Sequence, residues 1–281
     1  MKSILISGCS TGIGYYVAHA LHKEGYRVFA SARNIDDVER LKKEGLDAIQ
    51  LDIANTESIQ QAVKYVLDKT DGTLDVLFNN AGFGIGGAVE DLNRDTMRIQ
   101  FETNVFGTLE LTNALLPTMR QQGHGRIIQN SSVLGFMSMP YRGAYNASKY
   151  ALEGWSDTLR QELIMHKTNI HVSLIEPGPI ESEFRSNAFK NYLAYIDKSH
   201  SAHQENYAAM EKRLTKKGPA APFTLSPEAV LKRVKHAMHA KQPKPRYYVT
   251  FPTYLFGYLK RILSTRMLDK IALKASGGGK N

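Results

Sequence analysis

Tyr145 and Lys149 lie four residues apart in the stretch Tyr-Asn-Ala-Ser-Lys, and together they could move a proton. Side chains four residues apart lie on one face of a helix, so the Lys149 ammonium would lie beside the Tyr145 phenol. A nearby positive charge favours the ionised form of a phenol, whose pKa is otherwise about 10. The pair predicts a tyrosine that acts as an acid or a base, although the same spacing also occurs on ordinary solvated helices.

A glycine-rich turn near the N-terminus could hold a phosphate group. The apolar run Ser3–Ser7 predicts a buried strand, and it leads through Gly8, Gly12 and Gly14 into a helical pattern. The free amides and the dipole of a helix N-terminus attract an anion, and glycines let the backbone approach it. This order of elements predicts a dinucleotide site.

The residues after the second predicted strand, Arg27–Ser31, indicate which dinucleotide binds. Folds that select NAD usually place a carboxylate there, whereas an arginine accommodates the 2′-phosphate of NADP. Ala32 is uncharged and Arg33 follows it, so we expect NADP(H), with NAD less favoured; Arg33 could also be only a surface charge. Ser10 and Thr11 could add hydroxyl donors to the same phosphate.

The third predicted strand, Asp47–Leu51, ends at Asp52 and Ile53. There Asp52 could accept a hydrogen bond from an adenine amine. It could equally cap the helix that begins near Thr56.

In these motifs the chain resembles the short-chain dehydrogenase/reductase family of the Tyr-x-x-x-Lys type, from Ser3 to about Gly178. The segments Ser132–Pro140 and Pro245–Tyr247 resemble the branch that contains 17β-hydroxysteroid and retinol dehydrogenases and bacterial NADP-dependent aldehyde reductases. The resemblance implies an oxidoreductase that transfers a hydride between NADP(H) and a carbonyl or alcohol.

The resemblance also implies a catalytic set of Asn104, Ser132, Tyr145 and Lys149, with Ser131 as the nearest rival of Ser132. In this set Tyr145 is the general acid in reduction and the general base in oxidation. Lys149 would lower its pKa and hold the nicotinamide ribose, Ser132 would bind the carbonyl oxygen, and Asn104 would order a water. Each side chain alone also has a structural alternative, such as a helix kink at Asn104.

The motifs and the resemblance together assign the cofactor to the glycine loop, the strand ends and the turn after the sixth strand. The residues are Gly8, Ser10, Thr11, Gly12, Ile13, Gly14, Arg33, Asp52, Ile53, Asn80, Ala81, Gly82, Tyr145, Lys149, Pro177, Gly178 and Ser182. Ser182 stands where many family members carry threonine, which keeps the hydroxyl. No metal site is expected.

The order of predicted elements indicates an α/β fold. Strands near residues 3, 27, 47, 76, 125, 169 and 246 alternate with helices near residues 12, 35, 56, 95, 144 and 226. We expect a single doubly wound domain, residues 1–250, with a seven-stranded parallel sheet in the order 3-2-1-4-5-6-7. In relatives the long helices near 95 and 144 form a dimer interface, so the resemblance implies a homo-oligomer, a dimer or tetramer.

The remaining composition predicts a cytoplasmic enzyme. Cys9 is the single cysteine, so no intrachain disulfide is possible. Met1 and Lys2 directly precede the first strand, so no cleavable leader is expected. No apolar run approaches the roughly 20 residues that a membrane span requires.

Positive charge is concentrated near the C-terminus. Residues 212–281 contain 16 of the 36 Lys and Arg residues but only two acids. No nucleic-acid motif is present, so no nucleic-acid partner is expected. Residues 251–275 predict a basic amphipathic extension, with Leu255, Leu259, Ile262 and Leu263 at helical spacing. It could lie on an anionic membrane or pack on the protein, and residues 276–281 are expected to be disordered.

The substrate site is expected at segments that vary within the family. A lid over about residues 179–217 and two further loops supply the candidate residues Phe83, Met137, Met139, Tyr141 and Phe184. Their apolar character favours a hydrophobic aldehyde, retinoid or steroid, although some of these side chains could be core or dimer contacts. Alternatives are an NAD(H)-using dehydrogenase that works mainly in oxidation, or a cofactor-binding sensor without turnover.

Overall fold

The computed structural model describes residues 2–215, 218 and 221–276. In this part of the chain seven strands form one parallel sheet in the order β3-β2-β1-β4-β5-β6-β7. The strands are β1 (Ser3–Ile6), β2 (Arg27–Ala32), β3 (Asp47–Gln50), β4 (Val76–Asn79), β5 (Gly125–Asn130), β6 (Ile170–Glu176) and β7 (Arg246–Tyr248). The predicted doubly wound fold and its strand order are confirmed.

Helices cover both faces of this sheet. They are α1 (Gly12–Lys23), α2 (Ile35–Lys43), α3 (Thr56–Lys69), α4 (Arg94–Phe101), α5 (Thr108–Gln121), α6 (Gly143–Met165), α7 (Phe184–Tyr195), α8 (Gln204–Thr215), α9 (Glu228–His239), α10 (Phe251–Ile262) and α11 (Thr265–Ser276). The predicted lid contains α7 and α8, while its last two residues, 216 and 217, lie outside the described residues.

Alternation along β1 builds the two halves of the core. Successive side chains of a strand point to opposite faces. Ile4 and Ile6 therefore pack with α1, α2 and α9, whereas Leu5 packs with α3, α5 and α6. Strands β1 and β4 are neighbours whose connecting helices lie on opposite faces, so a crevice opens at their carboxyl ends, where ligands bind in folds of this type.

The long helix predicted near residue 95 is interrupted. A π-helical segment, Glu102–Gly107, joins α4 to α5. A side chain at Gly107 would overlap the main-chain oxygen of Ile53, at the end of β3, so the two segments approach as closely as a glycine allows. The segment also contains Asn104, and such π-helical turns often occur at functional sites.

The C-terminal extension forms two helices. Helix α10 packs through Thr253, Phe256 and Gly257, whereas Leu255 and Ile262 of the predicted apolar face are exposed. No helix in the described part is long and apolar enough to cross a bilayer. Of the predicted disordered tail, residues 277–281 lie outside the described residues.

Candidate active site

The fold brings the four predicted catalytic residues together at the carboxyl edge of the sheet. Asn104 lies in the π-helical segment, Ser132 follows β5, and Tyr145 and Lys149 lie on α6. The Lys149 Nζ atom lies 5.7 Å from the centre of the Tyr145 ring. It also donates a hydrogen bond to the main-chain oxygen of Asn130 (2.6 Å), which fixes it at the end of β5.

Burial dominates the acid–base properties of this pair. It raises the pKa of Tyr145 to about 12, against a hydrogen bond from Ser132 and the positive charge of Arg142, which act to lower that pKa. Burial lowers the pKa of Lys149 to about 8, and the charge of Glu153 acts to raise it. Burial thus outweighs the groups that lower the pKa of Tyr145, and the depression of that pKa by Lys149 stays a prediction.

Ser132, rather than Ser131, faces the phenol. The Ser132 hydroxyl acts to lower the pKa of Tyr145, which places it within reach of the phenol, and it accepts a hydrogen bond from the main-chain nitrogen of Leu134 (3.1 Å). The Ser131 hydroxyl instead lies beside Glu153, since both would contact a side chain placed on Gly135, and it acts to lower the pKa of that carboxyl. The two neighbouring serine side chains therefore lie on opposite sides at the end of β5.

The side chain of Asn104 holds the site together. Its Nδ2 donates to the main-chain oxygen of Phe83 (2.9 Å) and to the Ser148 hydroxyl (3.0 Å). Its Oδ1 accepts from the main-chain nitrogen of Phe83 (3.1 Å). Both amide donors are in use, so Asn104 can hold a water only through its oxygen atoms.

The glycine loop has the geometry of a phosphate cradle. Gly8 (φ 74°) and Gly12 (φ 63°) adopt left-handed conformations that favour glycine. A side chain on Gly14 would overlap the Gly8 main-chain oxygen and would lie 2.5 Å from Asn80 Nδ2. The Asn80 amide donates to the main-chain oxygens of Ser7 (3.0 Å) and Gly8 (2.9 Å), so it braces the loop from inside the sheet.

The other predicted residues of this loop surround its mouth. Thr11 is exposed and is the N-terminal cap residue of α1, while Ile13 packs on the core. The main-chain oxygen of Ser10 accepts a hydrogen bond from Arg40 (2.7 Å), a cation of α2 that the sequence reading missed. Because glycines line the turn and the amides of α1 begin there, the loop fits a dinucleotide diphosphate.

At the adenosine end, Arg33 is exposed directly after β2, and its main-chain oxygen is held by Gln50 (3.1 Å). Asp52 accepts a hydrogen bond from the main-chain nitrogen of Ala54 (3.0 Å). It does not cap α3, because Asn55 does so by accepting from Ser58. The capping alternative for Asp52 is therefore wrong.

Two close approaches form the end of the crevice at which the nicotinamide is predicted. The main-chain oxygen of Pro177 accepts from Val133 (2.8 Å), which places the proline-glycine turn beside Ser132. A side chain on Gly178 would overlap the Thr250 hydroxyl, so α10 closes this turn from outside.

Two further predicted pairs flank the crevice. A side chain on Gly12 would lie 3.1 Å from the Cβ of Ser182, so these residues face each other. The main-chain nitrogen of Ala81 donates to Ser7 (3.0 Å). A side chain on Gly82 would lie 3.8 Å from Lys149 Nζ, and Ile53 is buried in the core near the adenosine end.

The predicted substrate residues fall into two apolar clusters. Met137 and Met139 belong to the cluster that includes Tyr145. Phe83 and Tyr141 belong to a second cluster under the lid. Phe184, the first residue of α7, lies with its ring 5.3 Å from the ring of Tyr145. The phenol is therefore surrounded by apolar side chains from the lid and from the loop after β5.

A buried charged cluster behind α6 was missed by the sequence reading. Arg246 binds the carboxylates of Glu153 (3.0 Å), Asp157 (2.6 Å) and Glu176 (3.3 Å). Burial and the neighbouring Glu153 raise the pKa of Glu176 to about 9. The available signals were a glutamate four residues after Lys149 and another at the end of the apolar strand β6. In the described residues no group of His, Cys, Asp and Glu side chains is arranged to hold a metal ion.

Comparison with known proteins agrees with this geometry. The family model for short chain dehydrogenases matches residues 2–193. The uncharacterized oxidoreductase YbbO of Escherichia coli K12 is 45% identical over 270 residues, covering 96% of this chain and 93% of that protein. Human 17-beta-hydroxysteroid dehydrogenase type 1 is 32% identical over 262 residues, covering 88% of this chain and 77% of that protein.

A solved structure shares the fold. The F189W actinorhodin polyketide ketoreductase with NADPH superposes with a TM-score of 0.71 at 28% identity, covering 88% of this chain and 95% of that one. The predicted family and its likeness to the hydroxysteroid dehydrogenase branch are confirmed. The chain therefore belongs to the short-chain dehydrogenase/reductase family and is an NAD(P)-dependent oxidoreductase that acts on CH–OH groups.

Proposed function

We propose that the protein reduces hydrophobic carbonyl compounds with NADPH and that Tyr145 delivers the proton. The observation that carries this proposal is the enclosed phenol, flanked by the Ser132 hydroxyl and the Lys149 ammonium beside the glycine loop. The NADPH-bound polyketide ketoreductase and the hydroxysteroid dehydrogenase relative support the cofactor and the type of substrate.

The proton chemistry follows from the two shifted pKa values. When bound, NADPH supplies the hydride. A phenol with a pKa of about 12 is protonated at neutral pH, so Tyr145 can bind the carbonyl oxygen as a donor and pass its proton to the developing alkoxide. Ser132 donates a second hydrogen bond to that oxygen. Lys149, with a pKa of about 8, can return a proton near neutral pH.

A matched pair of tyrosines on α6 tests this role. Tyr145→Phe should lower kcat by about 10²- to 10⁴-fold, the usual contribution of a general acid, with little change in the Kd of NADPH. The control is Tyr150→Phe on the same helix, where the ring is 39% exposed. We would measure aldehyde-dependent NADPH oxidation. A Tyr145→Phe enzyme with wild-type kcat would refute the assignment.

The cofactor preference is proposed to depend on Arg33. Its side chain is exposed after β2, and Arg40 adds a second positive charge near Ser10. Arg33→Asp should therefore lower kcat/KM for NADPH and raise it for NADH, whereas Arg120→Asp on the exposed side of α5 should change neither. An unchanged ratio in Arg33→Asp would favour the alternative of an NAD(H)-using enzyme.

We propose a homo-oligomer through helices α4 to α6. Phe106, in the π-helical segment, is 50% exposed on this surface and its ring lies 6.2 Å from that of Phe101. Light scattering after gel filtration should give a multiple of 31.4 kDa, and Phe106→Glu should lower that mass. A wild-type monomer would contradict this part of the proposal.

Helix α10 also supports contact with an anionic membrane surface. Its exposed apolar side chains recur at helical spacing and form one stripe: Phe251, Tyr254, Leu255, Tyr258 and Ile262. Arg261 and Arg266 lie exposed in the same region, and such a surface suits the boundary of a bilayer. We also propose that the protein is cytoplasmic and that part of it is bound at the membrane surface.

Vesicle flotation tests the membrane contact. The double variant Tyr258→Ser/Ile262→Ser should lose binding to phosphatidylglycerol vesicles. Ile164→Ser, at a side chain that is 67% exposed on α6, is the matched control and should not lose it. Equal flotation of all three proteins would exclude the stripe.

A further inference from the structure

Among the residues that the structure describes, three arginines near the lid have no acidic partner. Arg142 directly precedes α6, Arg185 is the second residue of α7, and Arg213 lies near the end of α8. All three are partly buried. Every ion pair within the described residues joins other side chains. Sheltered guanidinium groups usually pair with carboxylates, so this set requires an explanation.

The hydrogen bonds that two of these arginines do make leave most of their donors free. A guanidinium carries five N–H donors. Arg142 Nη1 reaches the sulfur of Met139 (3.1 Å), which is a weak acceptor. Arg185 Nη2 donates to the main-chain oxygen of Gly218 (2.8 Å), while its Nη1 is buried without a partner in the described structure.

Contacts around the lid place the three arginines near the catalytic phenol. Arg142 is three residues before Tyr145, and Arg185 follows Phe184, whose ring lies against that phenol. A side chain on Gly86 would lie 3.5 Å from the sulfur of Met210 in α8. Arg213 is three residues after Met210 on the same face of α8, and the same Gly86 position lies 3.6 Å from the main-chain oxygen of Tyr141, the residue before Arg142.

The charges of these residues act on one another. Burial and the charge of Arg213 lower the pKa of Arg142 to about 10, and the charge of Arg185 contributes to the lowered pKa of Arg213. The charge of Arg142 in turn acts on Tyr145. Like charges that lie close together repel one another, and an anion between these guanidinium groups would relieve that repulsion.

We propose that Arg142, Arg185 and Arg213 bind an anionic group of the substrate, so that the preferred substrate is an amphiphilic carbonyl compound. Its apolar part would contact the methionine and aromatic clusters. Its carboxylate, phosphate or sulfonate would lie within a few bonds of the carbonyl, because Arg142 is so close to Tyr145. This inference rests on the proposed function and names the substrate class of the same site.

Binding without turnover tests the anion site by itself. The probes are octanoate and 1-octanol, which share a chain length and differ in charge, titrated calorimetrically into the protein saturated with NADPH, with which neither probe can react. Arg142→Gln and Arg213→Gln should each weaken octanoate binding by about 10- to 100-fold, the range for a lost charge-assisted hydrogen bond. Octanol binding should not change, and Arg120→Gln on the surface of α5 is the control. Equal octanoate affinity in wild type and Arg142→Gln would overturn the proposal.

Kinetics then separate this inference from the proposed function. The substrates are 3-oxooctanoate and its methyl ester. Wild type should prefer the acid by about 10-fold or more in kcat/KM, and Arg142→Gln should remove that preference. Reduction of acid and ester at equal rates would overturn the anion site while the proposed function stands. If octanoate binding depends on Arg142 but no carbonyl compound is reduced, the anion site stands and the proposed function is overturned. A raised KM for NADPH instead would assign the arginines to the cofactor and overturn the inference.

Stability distinguishes a ligand site from a structural cluster. Removing one of three repelling charges should raise the melting temperature of ligand-free Arg213→Gln, whereas loss of a structural contact would lower it. Octanoate should raise the melting temperature of wild type more than that of the variant. A destabilised Arg213→Gln protein that still gains wild-type stabilisation from octanoate would refute the assignment.

Discussion

Glu176→Gln should make the protein more stable at alkaline pH but not at acidic pH. Glu176 is fully buried at the end of β6, where Arg246 faces three carboxyl groups. One guanidinium cannot neutralise three carboxylates, and burial with the nearby Glu153 raises the pKa of Glu176 from 4.5 to about 9. Glutamine has the same shape and cannot ionise.

The sign and the size of the effect follow from these two pKa values. Between pH 5 and 8 the unfolded chain releases the Glu176 proton, whereas the folded protein keeps it. Unfolding is therefore favoured by about 1.4 kcal/mol for each pH unit, or about 4 kcal/mol over this range. For a chain of this size that corresponds to roughly 10 °C in melting temperature.

The assay is thermal unfolding at half-unit steps from pH 5 to 9. The difference between Glu176→Gln and wild type should be small at pH 5 and should grow up to about pH 9. Glu162→Gln, at an exposed position of the same helix as Glu153, is the control and should follow wild type. If the advantage of Glu176→Gln is the same at pH 5 and pH 8, Glu176 ionises normally in the folded protein and the reasoning is wrong.

Three other predictions concern the active-site crevice. Gly14→Ala should weaken NADPH binding more than 10-fold in calorimetry, because the new side chain overlaps the Gly8 oxygen. The control is Gly154→Ala, where nothing lies within 4 Å of the new side chain. This variant should bind NADPH normally and stabilise α6 by about 0.5–1 kcal/mol. Oxidation of 1-octanol should quicken from pH 7 to 10, because Tyr145, with a pKa of about 12, must lose its proton, and a flat profile would exclude it as the base. Cys9 is buried and its pKa is raised to about 12, so iodoacetamide should alkylate it only after unfolding in urea, as mass spectrometry would show.

The glycine loop was predictable because short, local signals encode it, and the strand order followed by extending the known order of dinucleotide-binding folds by one strand. The run Ser3–Ser7 is mainly apolar, Gly8 stands directly after it, and Gly12 and Gly14 follow within the next six residues, so the strand, the turn and the helix were evident from this order. The choice of Ser132 over Ser131 depended on the resemblance. In the structure it follows from alternation, since neighbouring residues at a strand end point to opposite sides.

Burial and partners of charged residues were not predictable. The sequence shows Lys149 four residues from Tyr145, but it does not show that burial raises the pKa of the phenol and lowers that of the ammonium. Glu176 and Arg246 are 70 positions apart in numbering and meet only because β6 and β7 are neighbours. In the sequence, Arg142 is only a cation before a predicted helix. Its position beneath the lid becomes evident only in the structure.

Gly107 couples the positions of two distant parts of the crevice. Its missing side chain leaves room for the Ile53 oxygen, and Asn104 stands three residues earlier in the same π-helical turn. An alanine at this position would displace Ile53, at the predicted adenosine end of the crevice. It would also shift the Asn104 amide, which hydrogen-bonds to Phe83 and Ser148. The added methyl group lies far from the reacting carbon, yet it would disturb dinucleotide affinity and proton delivery together. A second substitution at one site could not restore both.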